Sequence, residues 1–105
     1  MKQYFDALEV RSTDARAAAM AHALPAQIAR ALAAPGMAAH LVDVEAAAVT
    51  NAAALARLPV LRKAGLGAAQ KAQAPFGGLT TRPAAGFEHI FQSPGPIYEP
   101  GRTSP

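Results

Sequence analysis

The sequence predicts an α-rich segment that leads into the first strand of an α/β fold and is incomplete as a domain. Three observations carry this. Alanine exceeds a quarter of the 105 residues, which favours helix. Leu, Ile, Val and Phe together number only 21, at the edge of the composition that sustains a core. Alanine buries little area, and at about 25 cal/mol per Å² it offsets little of the ~1–2 kcal/mol that ordering each residue costs. Third, the stretch FEHIFQSPGPIYEPGRTSP closes the chain, with Phe87, Ile90 and Phe91 as the end of a buried strand. Ser93-Pro94-Gly95-Pro96 forms the turn leaving it, by its Gly and Pro content. Such a strand needs neighbours, which the preceding residues or further chain must supply.

The elements follow in order. Tyr4, Phe5, Leu8 and Val10 make an apolar lead-in. Ser12 or Thr13 is then an N-cap, with Asp14 placed for the first helical turn. Pro25 is expected to break or restart that helix, because a ring inside a helix removes one donor and clashes with the preceding turn. Met20, Leu24, Ile28 and Leu32 recur every four residues and form one stripe on one face. Ala34-Pro35-Gly36 ends this segment, and MAAHLVDVE is a short amphipathic piece. Thr50 is expected to cap a second helix, NAAALARL, that Pro59 closes. AGLGAAQKAQ is a further short helix weakened by Gly65 and Gly67. From Pro75-Phe76-Gly77-Gly78-Leu79 onward the chain turns irregular and proline-rich. The expected layout is a helical front over 1–72, then loop, strand and the start of a further loop over 73–105.

Composition narrows the function classes. There is no cysteine, hence no disulfide framework, thiolate nucleophile or thiolate metal site. No apolar run reaches the ~20 residues of a membrane span, and the start MKQYFDALEV has no signal-peptide pattern. A cytoplasmic location with no membrane partner is expected. The net charge of +3 is modest, its excess carried by Arg57, Arg62, Lys63, Lys71, Arg82 and Arg102 against Glu88 and Glu99. Few aromatics accompany these cations, so a solvated helix face is preferred to a nucleic-acid interface. His22, His40 and His89 are widely spaced, unlike the close ligand pairs of a zinc site; no metal site is expected. Asp6, Glu9 and Asp14 lie in the N-terminal lead, where a solvated surface explains them. No nucleophile–base–acid set is defensible, so no catalytic residue is assigned.

Three spaced segments remain: LARLPVLRKAGL (55–66), PFGGL (75–79) and HIFQSPGPIYEPG (89–101). In this order they resemble the N-terminal portion of phenylacetate–CoA ligase-like enzymes, within the AMP-forming, adenylate-forming superfamily. A helix ending in LxxLP, a basic RK helix start, PFG and a strand opening into a Ser/Gly/Pro loop carry the resemblance, which covers most of the chain. It implies an α/β adenylate-forming fold whose remainder lies beyond Pro105, with ATP, Mg and CoA as cofactors and a small carboxylic acid, such as an aryl acid, as substrate. In that family the loop after the strand grips ATP phosphates and is typically SSGTTGKP. Ser93 and Gly95 match it in kind, and Pro100 matches its closing proline. Small hydroxylated residues and glycine suit the task because backbone N–H groups and hydroxyls must approach phosphate oxygens closely. The other positions depart from the pattern. Pro94 and Pro96 remove backbone donors, Ile97 and Tyr98 replace a hydroxyl and a glycine, and Glu99 stands where a lysine is usual. Arg102 is a nearby cation that could restore the charge.

Two functions follow from different classes. One is the N-terminal fragment, or a truncated relative, of an acid–CoA ligase, inactive alone and partnered by the rest of the enzyme. The other is a non-enzymatic helical scaffold or interaction module with a degenerate phosphate loop and the apolar stripe as its interface.

Overall fold

The computed structural model describes residues 2–101. It is a helix-rich chain with a two-stranded antiparallel sheet. Helix α1 spans Thr13–Leu32, α2 Pro35–His40, α3 Ala52–Ala56 and α4 Leu66–Ala72, followed by β1 His89–Ser93 and β2 Ile97–Gly101. Short 3-10 turns precede α1, α3, α4 and β1. The chain forms two compact units, one of residues 1–29 with 45–58, the other of 30–44 with 59–105. Helix α4 ends at Ala72, and neither compact unit begins or ends there.

In the first unit Ser12 caps α1, its hydroxyl accepting from the Ala15 N–H at 3.1 Å. Contrary to expectation, α1 runs straight through Pro25. The missing N–H deprives only the Ala21 carbonyl of its helical partner, and Ala21 is exposed, so water can serve that carbonyl. Ala21, the residue one turn back that the proline ring faces, carries no bulk to crowd it. The stripe is graded rather than uniform: Ile28 is buried, Leu24 and Leu32 half-buried, Met20 exposed. Ile28, Val49 and Ala54 are the buried apolar residues of this unit. Asn51, not Thr50, caps α3: its backbone is extended and its side-chain oxygen accepts from the Ala54 N–H at 2.8 Å. Both residue types can cap, and Asn is the stronger of the two. The lead-in is apolar without being buried, and Phe5 remains 91% exposed.

The second unit is built on a backbone contact. Pro35 occupies the start of α2, a position that has no use for its N–H. The next N–H, that of Gly36, donates to the Gly78 carbonyl at 2.6 Å. A Cβ on Gly36 would collide with the backbone of Gly77 and Gly78. Those two glycines have φ of 68° and 72°, a region that side chains disfavour. They sit in the turn over 74–78, entered through a cis Ala74–Pro75 bond. The turn delivers Phe76 to the interior, where its ring meets that of Phe87 edge-on at 5.6 Å. Ala34, Leu41, Phe76 and Ile97 are the buried apolar residues here. His40 Nε2 lies 3.0 Å from the Pro59 carbonyl, which fixes that imidazole as a structural contact.

The closing segment differs from its expected form. The strand starts at His89 rather than at Phe87, and the expected burial is absent: Ile90 is 48% and Phe91 59% exposed. Its neighbour is supplied locally, because the chain returns as β2 in the register His89↔Gly101, Ile90↔Pro100, Phe91↔Glu99, Gln92↔Tyr98 and Ser93↔Ile97. The Ser/Pro/Gly stretch is therefore the turn of a hairpin. Arg102, offered above as a compensating cation, lies outside the described residues.

Candidate functional site

The hairpin turn and α4 together form the candidate site. Pro94 and Pro96 have rigid φ angles and flank Gly95, which takes φ 133°, so the reversal is set by residue type. Ser93 closes the turn, its hydroxyl donating to the Ile97 carbonyl at 3.4 Å. Both predicted site residues thus have a local role: Ser93 fastens the hairpin and Gly95 permits its turn.

The hairpin is fixed to α4 by a residue that sequence reasoning passed over. Gln70 is the buried polar side chain among the described residues. Its Nε2 donates to the Tyr98 carbonyl at 3.0 Å, and its Oε1 accepts from the Tyr98 N–H at 2.9 Å. The amide imitates a peptide unit of a neighbouring strand and satisfies both backbone groups of Tyr98 at once. Buried amides need this pairing. The available signal was weak: an uncharged polar residue within an otherwise alanine-rich helix, whose long-range partner cannot be read from spacing.

A cavity of about 520 Å³ opens beside this junction, lined among others by Ala68, Gln70, Lys71, Gly95 and Tyr98. Gly67, Ala68 and Gly95 bring no large side chain to its lining, and Lys71 follows Gln70 in α4 with an exposed side chain. Gly95 and Lys71 therefore line one concavity although 24 positions separate them. The turn has a single backbone donor, the Gly95 N–H, because both its neighbours are prolines. Together with one ammonium this suits a single phosphoryl or carboxylate group; it is not the nest of successive N–H groups that cradles a polyphosphate. Glu99 is exposed on β2 opposite Phe91.

Among the described residues no three His, Asp or Glu side chains gather as metal ligands. No helix there is long and apolar enough to cross a membrane. No family model, curated protein or solved structure matches the chain.

Proposed function

We propose that this chain is the N-terminal part of an ATP-dependent, AMP-forming carboxylate–CoA ligase resembling phenylacetate–CoA ligase, and that it has no activity alone. The order of LARLPVLRKAGL, PFGGL and HIFQSPGPIYEPG supports this reading. So does one structural observation, which carries most of the weight: Gly95 and Lys71 line the same cavity. The sequence has Glu99 where a phosphate-binding lysine is usual, and a different lysine, on α4, lines the cavity beside the turn. In this reading Gly95 lets the backbone approach a phosphate oxygen, Lys71 neutralises its charge, and Gln70 holds the turn in place. ATP with Mg and CoA are its cofactors. When bound, the ATP activates the acid by adenylation. The residues present fit only one phosphoryl group, so adenine, ribose and the remaining phosphates are held by other parts of the enzyme.

The chain alone is expected to bind Mg·ATP no better than about millimolar, roughly −4 kcal/mol. Titration followed by amide and side-chain NMR should move Gly95 and Lys71 first, and Lys71→Ala should abolish the shift at Gly95. In the complete enzyme, acid, CoA and Mg·ATP should yield AMP and pyrophosphate. Ser93→Ala and Lys71→Ala should weaken ATP-dependent acyl–CoA formation, and Glu99→Lys should improve it by relieving repulsion. Activity whose ATP dependence ignores all three changes would remove this site from the nucleotide.

The scaffold reading keeps one observation in its favour. Tyr4, Phe5, Leu8 and Val10 expose their apolar side chains beside one another in sequence, as an interaction surface would.

A further inference from the structure

The two edges of the hairpin are unequal, and the difference follows from Gln70. Opposite residues of an antiparallel pair either exchange both backbone bonds or turn both pairs of groups outward. Tyr98 gives its N–H and its carbonyl to Gln70, so the Gln92↔Tyr98 pair faces outward. By alternation so does Ile90↔Pro100, while Phe91↔Glu99 and the pairs at either end face inward. Pro100 agrees independently, since it has no N–H to exchange. The outer edge of β2 is thereby closed: the Tyr98 groups are occupied and Pro100 offers no donor. On β1 the matching outward groups are the N–H and carbonyl of Ile90 and of Gln92. Among the described residues these groups have no backbone partner.

Nothing on β1 blunts this edge. His89, Ile90, Phe91 and Gln92 are all exposed, and the strand contains no Lys, Asp, Glu or Pro, the residues that commonly guard an edge. The Phe91 ring leans the other way, across β2 to Gly101, where an added Cβ would strike it. It therefore does not cover the edge.

We propose that β1 pairs antiparallel with β1 of a second copy of this chain, giving a four-stranded sheet in the order β2-β1-β1-β2. A second copy satisfies this edge by symmetry. The outward residues, Ile90 and Gln92, lie one position on either side of Phe91, so a two-fold axis at Phe91 sets each Ile90 opposite the other copy's Gln92. Both pairs exchange both bonds, making four in all, and no charge within either strand meets a like charge. The interface is isologous and closes on itself, with β2 at each outer edge stopping further growth. This inference rests on the hairpin alone and is independent of the ligase reading.

Sedimentation velocity of the chain up to about 0.5 mM, where even weak complexes are populated, should show a concentration-dependent dimer. Ile90→Pro removes only outward N–H groups, one from each copy, and should weaken the dimer at least about tenfold while Phe91–Gly101 NMR contacts persist. Phe91→Cys supplies a second readout in a cysteine-free chain. Across the axis its Cα atoms would be ~4.5 Å apart, within disulfide range. Oxidation should link this variant several-fold faster than Gln92→Cys, whose counterpart is displaced along the strand. A wild-type monomer throughout the range overturns the proposal and leaves the edge to a strand of another protein or of other chain. A dimer that survives Ile90→Pro with its hairpin intact, or cross-linking with no preference for position 91, also overturns it.

Discussion

The Gln70 side chain and the Tyr98 backbone form a reciprocal pair of hydrogen bonds, at 3.0 and 2.9 Å, across 28 positions of sequence. This pairing joins α4 to β2 and carries the turn with Ser93 and Gly95 to the cavity edge. Its loss should cost at least as much as two ordinary bonds, because Tyr98 would keep two polar groups in a partly buried place. Gln70→Leu should therefore destabilise the second unit by about 1–3 kcal/mol, measured as a lowered urea midpoint with unchanged slope. Hydrogen exchange should speed up strongly at the Tyr98 amide and less at Glu99, whose N–H faces β1. Equal acceleration at both amides would mean that the whole hairpin depends on Gln70.

Gly36 and Gly67 provide a paired test of packing. A Cβ on Gly36 has no space against the Gly77–Gly78 backbone, whereas nothing lies within 4 Å of one on Gly67. Gly36→Ala should destabilise by about 1–3 kcal/mol as the backbones are forced apart. Gly67→Ala, inside α4, should stabilise by ~0.5–1 kcal/mol through helix propensity. Thermal denaturation of both variants checks the pair; a neutral Gly36→Ala would mean that the α2–turn contact is loose in solution.

Local chemistry made much of the secondary structure legible. Ser12, Pro35 and the Gly77–Gly78 pair each act where residue type alone placed a boundary or a turn, whereas α3 stops at Ala56, short of Pro59. The departures share a cause, since each depended on surroundings. Pro25 sits inside α1 because the one carbonyl it leaves without a helical partner, that of Ala21, is exposed to water. The second strand was hidden by Pro100, which demotes a strand unless its missing N–H points outward, as the register makes it do. At the candidate site Ser93 and Gly95 were visible as a loop motif, but Gln70 and Lys71 were not. Their part depends on α4 packing beside β2, a contact that spacing does not encode.

The graded stripe of α1 gives the next prediction. Ile28 is 7% exposed and Met20 37%, although periodicity ranks them equally. Ile28→Ala should cost ~2–4 kcal/mol, while Met20→Ala should stay within about 0.5 kcal/mol, as exposed substitutions usually do. Chemical denaturation of the two variants in the same buffer decides it. Similar losses at both sites would show that Met20 is covered in solution, by a partner or a second copy.

Cooperativity is the last property the packing fixes. No described side chain is fully buried, and the buried apolar residues divide between the units: Ile28, Val49 and Ala54 in one, Ala34, Leu41, Phe76 and Ile97 in the other. Two of these seven, Ala34 and Ala54, contribute little area each. Two thin clusters do not compel one all-or-none transition. Far-UV circular dichroism should report helix from α1, yet melting should be broad. The Phe76–Phe87 environment, followed by near-UV signal or aromatic NMR shifts, should change at a different temperature from the helical signal. Gln70→Leu should move the aromatic transition and leave most of the α1 signal in place. Ile28→Ala should do the reverse. Coincident, sharp transitions by both probes, shifted together by either substitution, would show that the two units unfold as one body.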